Sequence, residues 1–117
     1  MNIEIEKRED IAIINMHGEL DMSTVDDLVA KTKELTTSYS NIIFNFAGIE
    51  FVDSTGIGNI IKIFKDNNSD NYLITNLSSD VEEIFYILNL KELLGEKRFT
   101  KSLEEALNLL QDKQEDN

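Results

Sequence analysis

The feature that most constrains the fold is an alternation between short apolar runs and longer stretches with helical spacing. Residues 11–16 (IAIINM) and 42–46 (IIFNF) are short and rich in β-branched or aromatic residues, which is typical of buried strands. In residues 57–64 the apolar positions follow i, i+3, i+4, i+7 spacing, which indicates an amphipathic helix. Alternating strands and helices predict βαβ units with parallel pairing.

The predicted element order is β-β-α-β-α-β-α-(β)-α. Strands are predicted at residues 1–7, 11–16, 42–46 and 72–75, with a brief fifth strand at 98–100. The first two strands are separated by a short polar turn, which favours antiparallel pairing.

Serines precede several of the predicted helices and indicate where they begin. A helix is predicted over residues 23–38, and a second runs to about Phe64 or Asp66. Ser and an acid three residues later resemble a capping box at Ser23–Asp26, Ser79–Glu82 and Ser102–Glu105. Chain breaks are predicted at residues 18–21 (GELD) and at Gly95.

The expected fold class is α/β, with a mixed sheet of four to five strands and about four helices mainly on one face. Right-handed crossovers that run in one direction across the sheet place their helices on one side. Asn15 and Asn45 lie within predicted strands, which favours one face being covered less completely. Residues 1–112 are expected to form one domain, followed by a polar tail at 113–117.

Composition narrows the possible functions. The chain has 117 residues and no cysteine, which excludes disulfides, thiolate metal sites and cysteine nucleophiles. Its one histidine, His17, cannot form a metal cluster by itself; it is interpreted as a polar residue at a strand end, with a lone base as the alternative. We expect no metal and no cofactor. No signal peptide or run of ~18 apolar residues is present, so a soluble, cytoplasmic protein without a membrane span is expected.

The net charge of −12, from 23 acidic and 11 basic residues, argues against nucleic acid and anionic lipid as partners. A partner with a basic face would be steered toward such a surface. Solubility alone is an equally good reason for the charge.

The stretch FVDSTGIGN at residues 51–59 joins a predicted central strand to a helix. Sites in open α/β sheets cluster at the carboxyl ends of strands, where helix N-termini offer free N–H groups. Four interpretations compete: a helix cap by Asp53 or Ser54, a phosphate-binding loop, a serine nucleophile, and a phosphoacceptor serine. Gly56 and Gly58 would permit a tight turn or a close approach.

Residue chemistry disfavours two of these four. A Walker loop needs a lysine that the stretch lacks, and GIG alone is a weak signal. A nucleophile elbow needs glycine at the position of Val52, and no histidine besides His17 could activate the serine. The cap and the phosphoacceptor remain open, and the two are compatible.

The segment FVDSTGIG resembles the signature of the STAS domain, which is shared by bacterial anti-sigma factor antagonists and sulfate transporter tails. GELD at residues 18–21 resembles a second fingerprint of that family, and the element order matches over about residues 2–112. The resemblance implies a βα superhelix. It also implies that the serine after the Asp, Ser54, is phosphorylated, with Thr55 as a secondary candidate.

The function implied by this resemblance is partner switching by a protein that is not itself an enzyme. The unphosphorylated form would bind an anti-sigma factor that is also a serine kinase, and would thereby free a sigma factor. Phosphorylation of Ser54 would end binding, and a serine phosphatase would reset it. A monomer is expected. STAS domains also serve as scaffold or accessory subunits in stressosome-like or transporter complexes, which is the alternative function.

Several residues at this end of the sheet are predicted to contact the partner. Helix capping is the alternative role for Asp21 and Ser23, and core packing is the alternative for Ile57. The predicted partner-binding residues are Glu19, Asp21, Ser23, Thr24, Asp53, Thr55, Gly56, Ile57 and Gly58.

Overall fold

The computed structural model describes residues 1–67 and 69–115, with side chains described as far as residue 111. The strands are β1 (Asn2–Arg8), β2 (Ile11–Leu20), β3 (Asn41–Val52), β4 (Tyr72–Thr75) and β5 (Phe99–Thr100). The helices are α1 (Val25–Thr36), α2 (Ser54–Asp66), α3 (Ser79–Ile87), α4 (Leu90–Leu94) and α5 (Leu103–Glu115), with a 3₁₀ turn at Glu96–Arg98. Within the described residues, no helix is both long and apolar enough to cross a membrane.

The strands form one mixed sheet in the order β1-β2-β3-β4-β5. β1 pairs with β2 in antiparallel fashion, and the remaining neighbours pair in parallel. The order along the sheet equals the order along the chain, so each crossover advances in the same direction. The predicted mixed α/β sheet is therefore confirmed, including the antiparallel first pair.

The helices lie unequally on the two faces of the sheet. One face carries the larger core, in which Met16, Phe44 and Phe46 pack with buried side chains from α1 to α4. The other face carries a smaller cluster, in which Ile13 and Ile43 pack with buried residues of α5. This arrangement confirms helices mainly on one face, and α5 is the exception.

β3 is longer than predicted, because it continues beyond residue 46 to Val52. β2 also continues through most of the predicted GELD break, as far as Leu20. The register explains why periodicity missed this: Asn15 pairs with Asn45, but Leu20 pairs with Val52, so β3 contains two extra residues. Such bulges interrupt the alternation of inward and outward side chains from which a strand is recognised.

The predicted helix starts are partly wrong. The N-cap of α1 is Thr24, and its side chain makes no capping hydrogen bond. Ser23, the predicted cap, instead donates its hydroxyl to Asp21. α3 is capped by Ser78, one residue before the predicted Ser79. At α5 the Ser102 hydroxyl does accept from the Glu105 N–H, at 3.1 Å, as predicted.

Two further differences concern the C-terminal part of the chain. The helix predicted after β4 is divided into α3 and α4, because Asn89 adopts a left-handed backbone conformation with φ of 57°. Asparagine tolerates that conformation better than most residues, so it can end one helix and begin another. Of the predicted tail at 113–117, residues 113–115 lie in α5, and 116–117 are outside the described residues.

The two strand asparagines form a hydrogen-bonded bridge on the face that carries α5. Asn45 Nδ2 donates to Asn15 Oδ1 at 2.7 Å. Asn45 Oδ1 accepts from Asn76 Nδ2 at 3.0 Å and from the Ala47 N–H at 3.1 Å. The Asn45 side chain therefore links β2, the residue that follows β4 and the start of the β3 bulge.

We expect Asn45→Ala to lower the free energy of unfolding by about 1–3 kcal/mol, because the half-buried side chains of Asn15 and Asn76 would lose their hydrogen bonds to it. Urea denaturation followed by circular dichroism would measure this. Asn108, which is exposed on α5, offers a matched control: Asn108→Ala should change stability by less than ~0.5 kcal/mol. Equal effects of the two substitutions would contradict the role given to the asparagine bridge.

Candidate functional site

The candidate site lies where β2 and β3 end, at the carboxyl edge of the parallel strands. Leu20 and Val52 are paired at the ends of these strands. The next residues form two adjacent loops, one leading into α1 and the other into α2. Ser54 is the first residue of α2, and Asp53 is its N-cap. The sequence prediction placed these groups at one edge of the sheet, and the structure brings them together.

Asp53 holds the two loops in place with both oxygens of its carboxylate. Oδ1 accepts from the Gly56 N–H at 2.8 Å, which caps α2. Oδ2 accepts from the Met22 N–H at 3.2 Å, across to the loop before α1. The Asp53 N–H also donates to the Leu20 carbonyl at 3.1 Å. The cap interpretation is therefore correct for Asp53, and the Ser54 hydroxyl is not the capping group.

The loop before α1 is ordered by its own side chains. The Asp21 carboxylate accepts from the Ser23 N–H at 3.0 Å and from the Ser23 hydroxyl at 2.7 Å. The Thr24 hydroxyl donates to the Glu19 carbonyl at 2.7 Å. The hydrogen bonds from Ser23 lower the pKa of Asp21 below its usual value, because they stabilise the ionised carboxylate. The Asp21 and Ser23 side chains therefore bond to each other and do not cap α1, which was the alternative role predicted for them.

Two hydroxyl side chains stand exposed beside these carboxylates. Ser54 and Thr55 occupy the first two positions of α2, and both are solvent-exposed. The first N–H groups of a helix lack intrahelical acceptors and favour a negative charge nearby. Glu19 is exposed at the end of β2, and Asp53 is half-buried. A helix N-terminus therefore presents two accessible hydroxyls at an otherwise acidic edge.

The two glycines of the motif have different environments. A Cβ at Gly56 would lie 2.5 Å from the Leu20 carbonyl oxygen and 3.0 Å from Val52 Cγ1, so this glycine allows α2 to approach the sheet. A Cβ at Gly58 would meet no heavy atom within 4 Å, and this position is exposed. Ile57 is 7% exposed and belongs to the core.

The structure therefore does not place Gly56 and Ile57 where a partner could contact them. The close approach at Gly56 is internal, to the backbone of β2, and Ile57 packs as the core alternative predicted. The other predicted partner-binding residues are exposed or half-exposed at this edge: Glu19, Asp21, Ser23, Thr24, Asp53, Thr55 and Gly58.

Two exposed apolar side chains at the same edge were not predicted from the sequence. Met22 is 75% exposed in the loop between Asp21 and Ser23, and Phe51 is 47% exposed two residues before Asp53. Met22 could have been recognised as a contact residue, because it is a single methionine between the polar residues Asp21 and Ser23. Phe51 was not recognisable, because it lies within the bulged part of β3, where strand periodicity is lost. Exposed apolar groups near polar ones are common in protein–protein interfaces.

The lone histidine and the acidic side chains of the described residues bear on what the site could do chemically. His17 pairs with Gly48 in the bulged part of the sheet, and its imidazole occupies the space that a Cβ at Gly48 would fill. Among the residues that the structure describes, no group of three or more His, Cys, Asp or Glu side chains could hold a metal ion. The geometry is suited to recognition or modification by another protein.

Comparison with known proteins gives matches along most of the chain. Residues 2–106 match the model of the STAS domain family. An anti-sigma-B factor antagonist from Staphylococcus epidermidis is 31% identical over 100 residues, which cover 80% of this chain and 90% of that protein.

Two solved structures share the fold. The anti-sigma factor antagonist SpoIIAA in its unphosphorylated form matches with a TM-score of 0.76 at 23% identity, covering 95% of this chain and 97% of that one. The Bacillus cell fate determinant SpoIIAA in its phosphorylated form matches with a TM-score of 0.69 at 23% identity, covering 93% and 99%.

The two glycines provide a matched pair of substitutions. Gly56→Ala should lower the free energy of unfolding by about 2 kcal/mol or more, because its methyl group would collide with the Leu20 carbonyl. Gly58→Ala should raise it by ~0.5–1 kcal/mol, because alanine favours a helix and the site is open. Thermal and urea unfolding would measure both. Similar changes of the same sign would contradict the different environments assigned to the two glycines.

Proposed function

The chain belongs to the STAS domain family, and we propose that it acts as an anti-sigma factor antagonist controlled by phosphorylation of Ser54. The observation that carries this proposal is the exposed Ser54 hydroxyl at the start of α2, beside a carboxylate cap that leaves it free to react. The similarity to the antagonist from Staphylococcus epidermidis supports the same function.

In this proposal the unphosphorylated protein binds an anti-sigma factor and so releases a sigma factor. The anti-sigma factor is also a serine kinase, which supplies ATP chemistry that this chain does not carry. It transfers the γ-phosphoryl group of ATP to the Ser54 oxygen, with release of ADP and the hydroxyl proton. A serine phosphatase hydrolyses the phosphoserine and restores the binding form. The chain acts in the cytoplasm, as a monomer in its free state.

The proposed partner surface combines the two loops at the carboxyl edge. The apolar Met22 would enter a pocket of the partner, and the exposed acids around it would meet basic side chains there. Gly58 lies four residues after Ser54 without a side chain, so a partner's backbone could approach α2 closely at that point.

Charge and desolvation explain how one phosphate could end binding. Phosphorylation adds about −1.5 to −2 charges at Ser54. Asp53 lies next to it in the chain, and the protein already carries a net charge of −12. A dianion trapped at an interface would be desolvated and would face nearby carboxylates. A loss of ~3 kcal/mol would weaken binding more than about a hundredfold.

The same phosphate need not disturb the fold. It would stand at the N-terminus of α2, where unpaired N–H groups and the helix dipole favour an anion. The modified protein would stay folded while it could no longer bind, and a phosphatase could then restore it. A reversible switch requires both properties.

Incubation with the cognate kinase and Mg²⁺-ATP should add one phosphate to the protein, and peptide mass spectrometry should locate it on Ser54. Ser54→Ala should abolish the modification, whereas Thr55→Ala should retain it, because only the serine occupies the first helical position after the cap. Phosphate on Thr55 alone would reassign the acceptor. The absence of phosphate from both residues would contradict the proposal.

A further inference from the structure

A second exposed apolar surface lies far from the candidate site, at the junction of α3 and α4. Its members are Tyr86, Ile87, Leu88 and Leu93, which are 81%, 69%, 51% and 51% exposed. These four side chains, here named the α3–α4 patch, fall within eight consecutive residues. Exposed apolar groups are common singly, but such a concentration is typical of an interaction surface.

The backbone beneath the α3–α4 patch is held by hydrogen bonds and core contacts. The Leu88 N–H donates to the Ile84 carbonyl at 3.1 Å, and the Leu93 N–H donates to the Asn89 carbonyl at 3.1 Å. Asn89 Nδ2 also donates to Glu92 at 2.8 Å. Phe85, directly before the patch, is fully buried against Phe46. An ordered surface loses little conformational entropy on binding, and an exposed tyrosine is a favourable anchor.

The charged residues around the α3–α4 patch are mainly acidic. Glu82, Glu83 and Glu92 are exposed in α3 and α4. The one base within these two helices, Lys91, is bound to Glu82 at 3.0 Å and lies 5.7 Å from the centre of the Phe99 ring. Since Lys91 and Glu82 offset each other, Glu83 and Glu92 leave the rim with a net negative charge. It would be complemented by Lys or Arg around an apolar face.

The end of α4 lies beside the C-terminal end of α2, whereas Ser54 begins that helix. Arg98 connects the end of α4 to α2. Its Nε donates to the Leu94 carbonyl, and its guanidinium carbon lies 5.3 Å from the centre of the Phe64 ring. Phe64 lies ten residues after Ser54 in the same helix, which corresponds to roughly 15 Å. A molecule on this patch would thus bind beside the far end of α2.

We propose that the α3–α4 patch is a second protein-docking surface, for a partner that presents an apolar helix face flanked by Lys or Arg, and that its use does not depend on phosphorylation of Ser54. The net charge of −12 opposes the approach of a second copy of this chain and of an anionic membrane. A basic amphipathic helix satisfies both the apolar centre and the acidic rim. This inference is independent of the proposed function.

The test uses the full chain labelled with ¹⁵N and two synthetic helical peptides of about 18 residues. Both peptides carry Leu at i, i+3, i+4 and i+7; one has Lys at the remaining positions, and the other has Glu. Titration followed by NMR should shift the amide signals of residues 86–93 with the Lys peptide and leave them unchanged with the Glu peptide. Tyr86→Ser/Ile87→Ser should weaken binding of the Lys peptide by about tenfold or more.

Two controls separate the α3–α4 patch from the acidic surface in general. Met22→Ser removes a comparably exposed side chain at the other site, and Ser54→Asp imitates the phosphate; both should leave the affinity for the Lys peptide within about twofold. Shifts spread over the whole surface, or equal binding by the Tyr86→Ser/Ile87→Ser variant, would overturn the proposal. A dimer in sedimentation, or binding to phosphatidylserine vesicles, that this double substitution abolishes would overturn it as well.

Discussion

The Asp53 carboxylate is the interaction on which the arrangement of the site depends. One oxygen caps α2, and the other accepts from the Met22 N–H of the neighbouring loop. Because a carboxylate performs the capping, Ser54 is left as an exposed hydroxyl at the helix terminus. The short distance between α2 and the sheet requires glycine at position 56, since any Cβ there would collide with the Leu20 carbonyl. The exposed hydroxyl, the helix cap and the neighbouring loop are therefore positioned by a few adjacent residues.

The acidic charge of the chain acts differently at its two surfaces. At the carboxyl edge of the sheet, carboxylates around Met22 would attract a basic partner, and a phosphate on Ser54 would weaken binding because its dianion would be desolvated beside Asp53. At the junction of α3 and α4, exposed carboxylates accompany four exposed apolar or aromatic side chains. In the proposed functions the first surface is switched by phosphorylation and the second remains available throughout.

Much of the fold could be predicted from the sequence, because strand centres and helix stripes have distinct periods. Tyr72–Thr75 was predicted with its correct bounds, and the antiparallel first pair followed from a short turn. The second half of β3 could not be predicted, because two extra residues disrupt its alternation. The start of α3 was displaced by one residue, because the sequence favoured Ser79, which Glu82 follows three residues later, whereas the capping side chain is that of Ser78.

The site was predictable in its composition but not in its contacts. Parallel topology places the ends of β2 and β3 at one edge, so Asp21 and Ser54 were expected near each other. The hydrogen bond that the Met22 N–H donates to Asp53 could not be predicted, because a backbone N–H is present whatever residue stands at position 22. Whether Ile57 is buried could not be decided from the sequence either, because its position fits both the apolar stripe of α2 and a partner-binding role in the motif.

The most direct test of the switch is a pair of dissociation constants for the cognate anti-sigma factor, measured by isothermal titration calorimetry. One titration would use unphosphorylated protein, and the other would use protein fully phosphorylated on Ser54, with circular dichroism showing both forms folded. The proposed mechanism predicts binding at least about a hundredfold weaker after phosphorylation. Dissociation constants within about twofold of each other would contradict it.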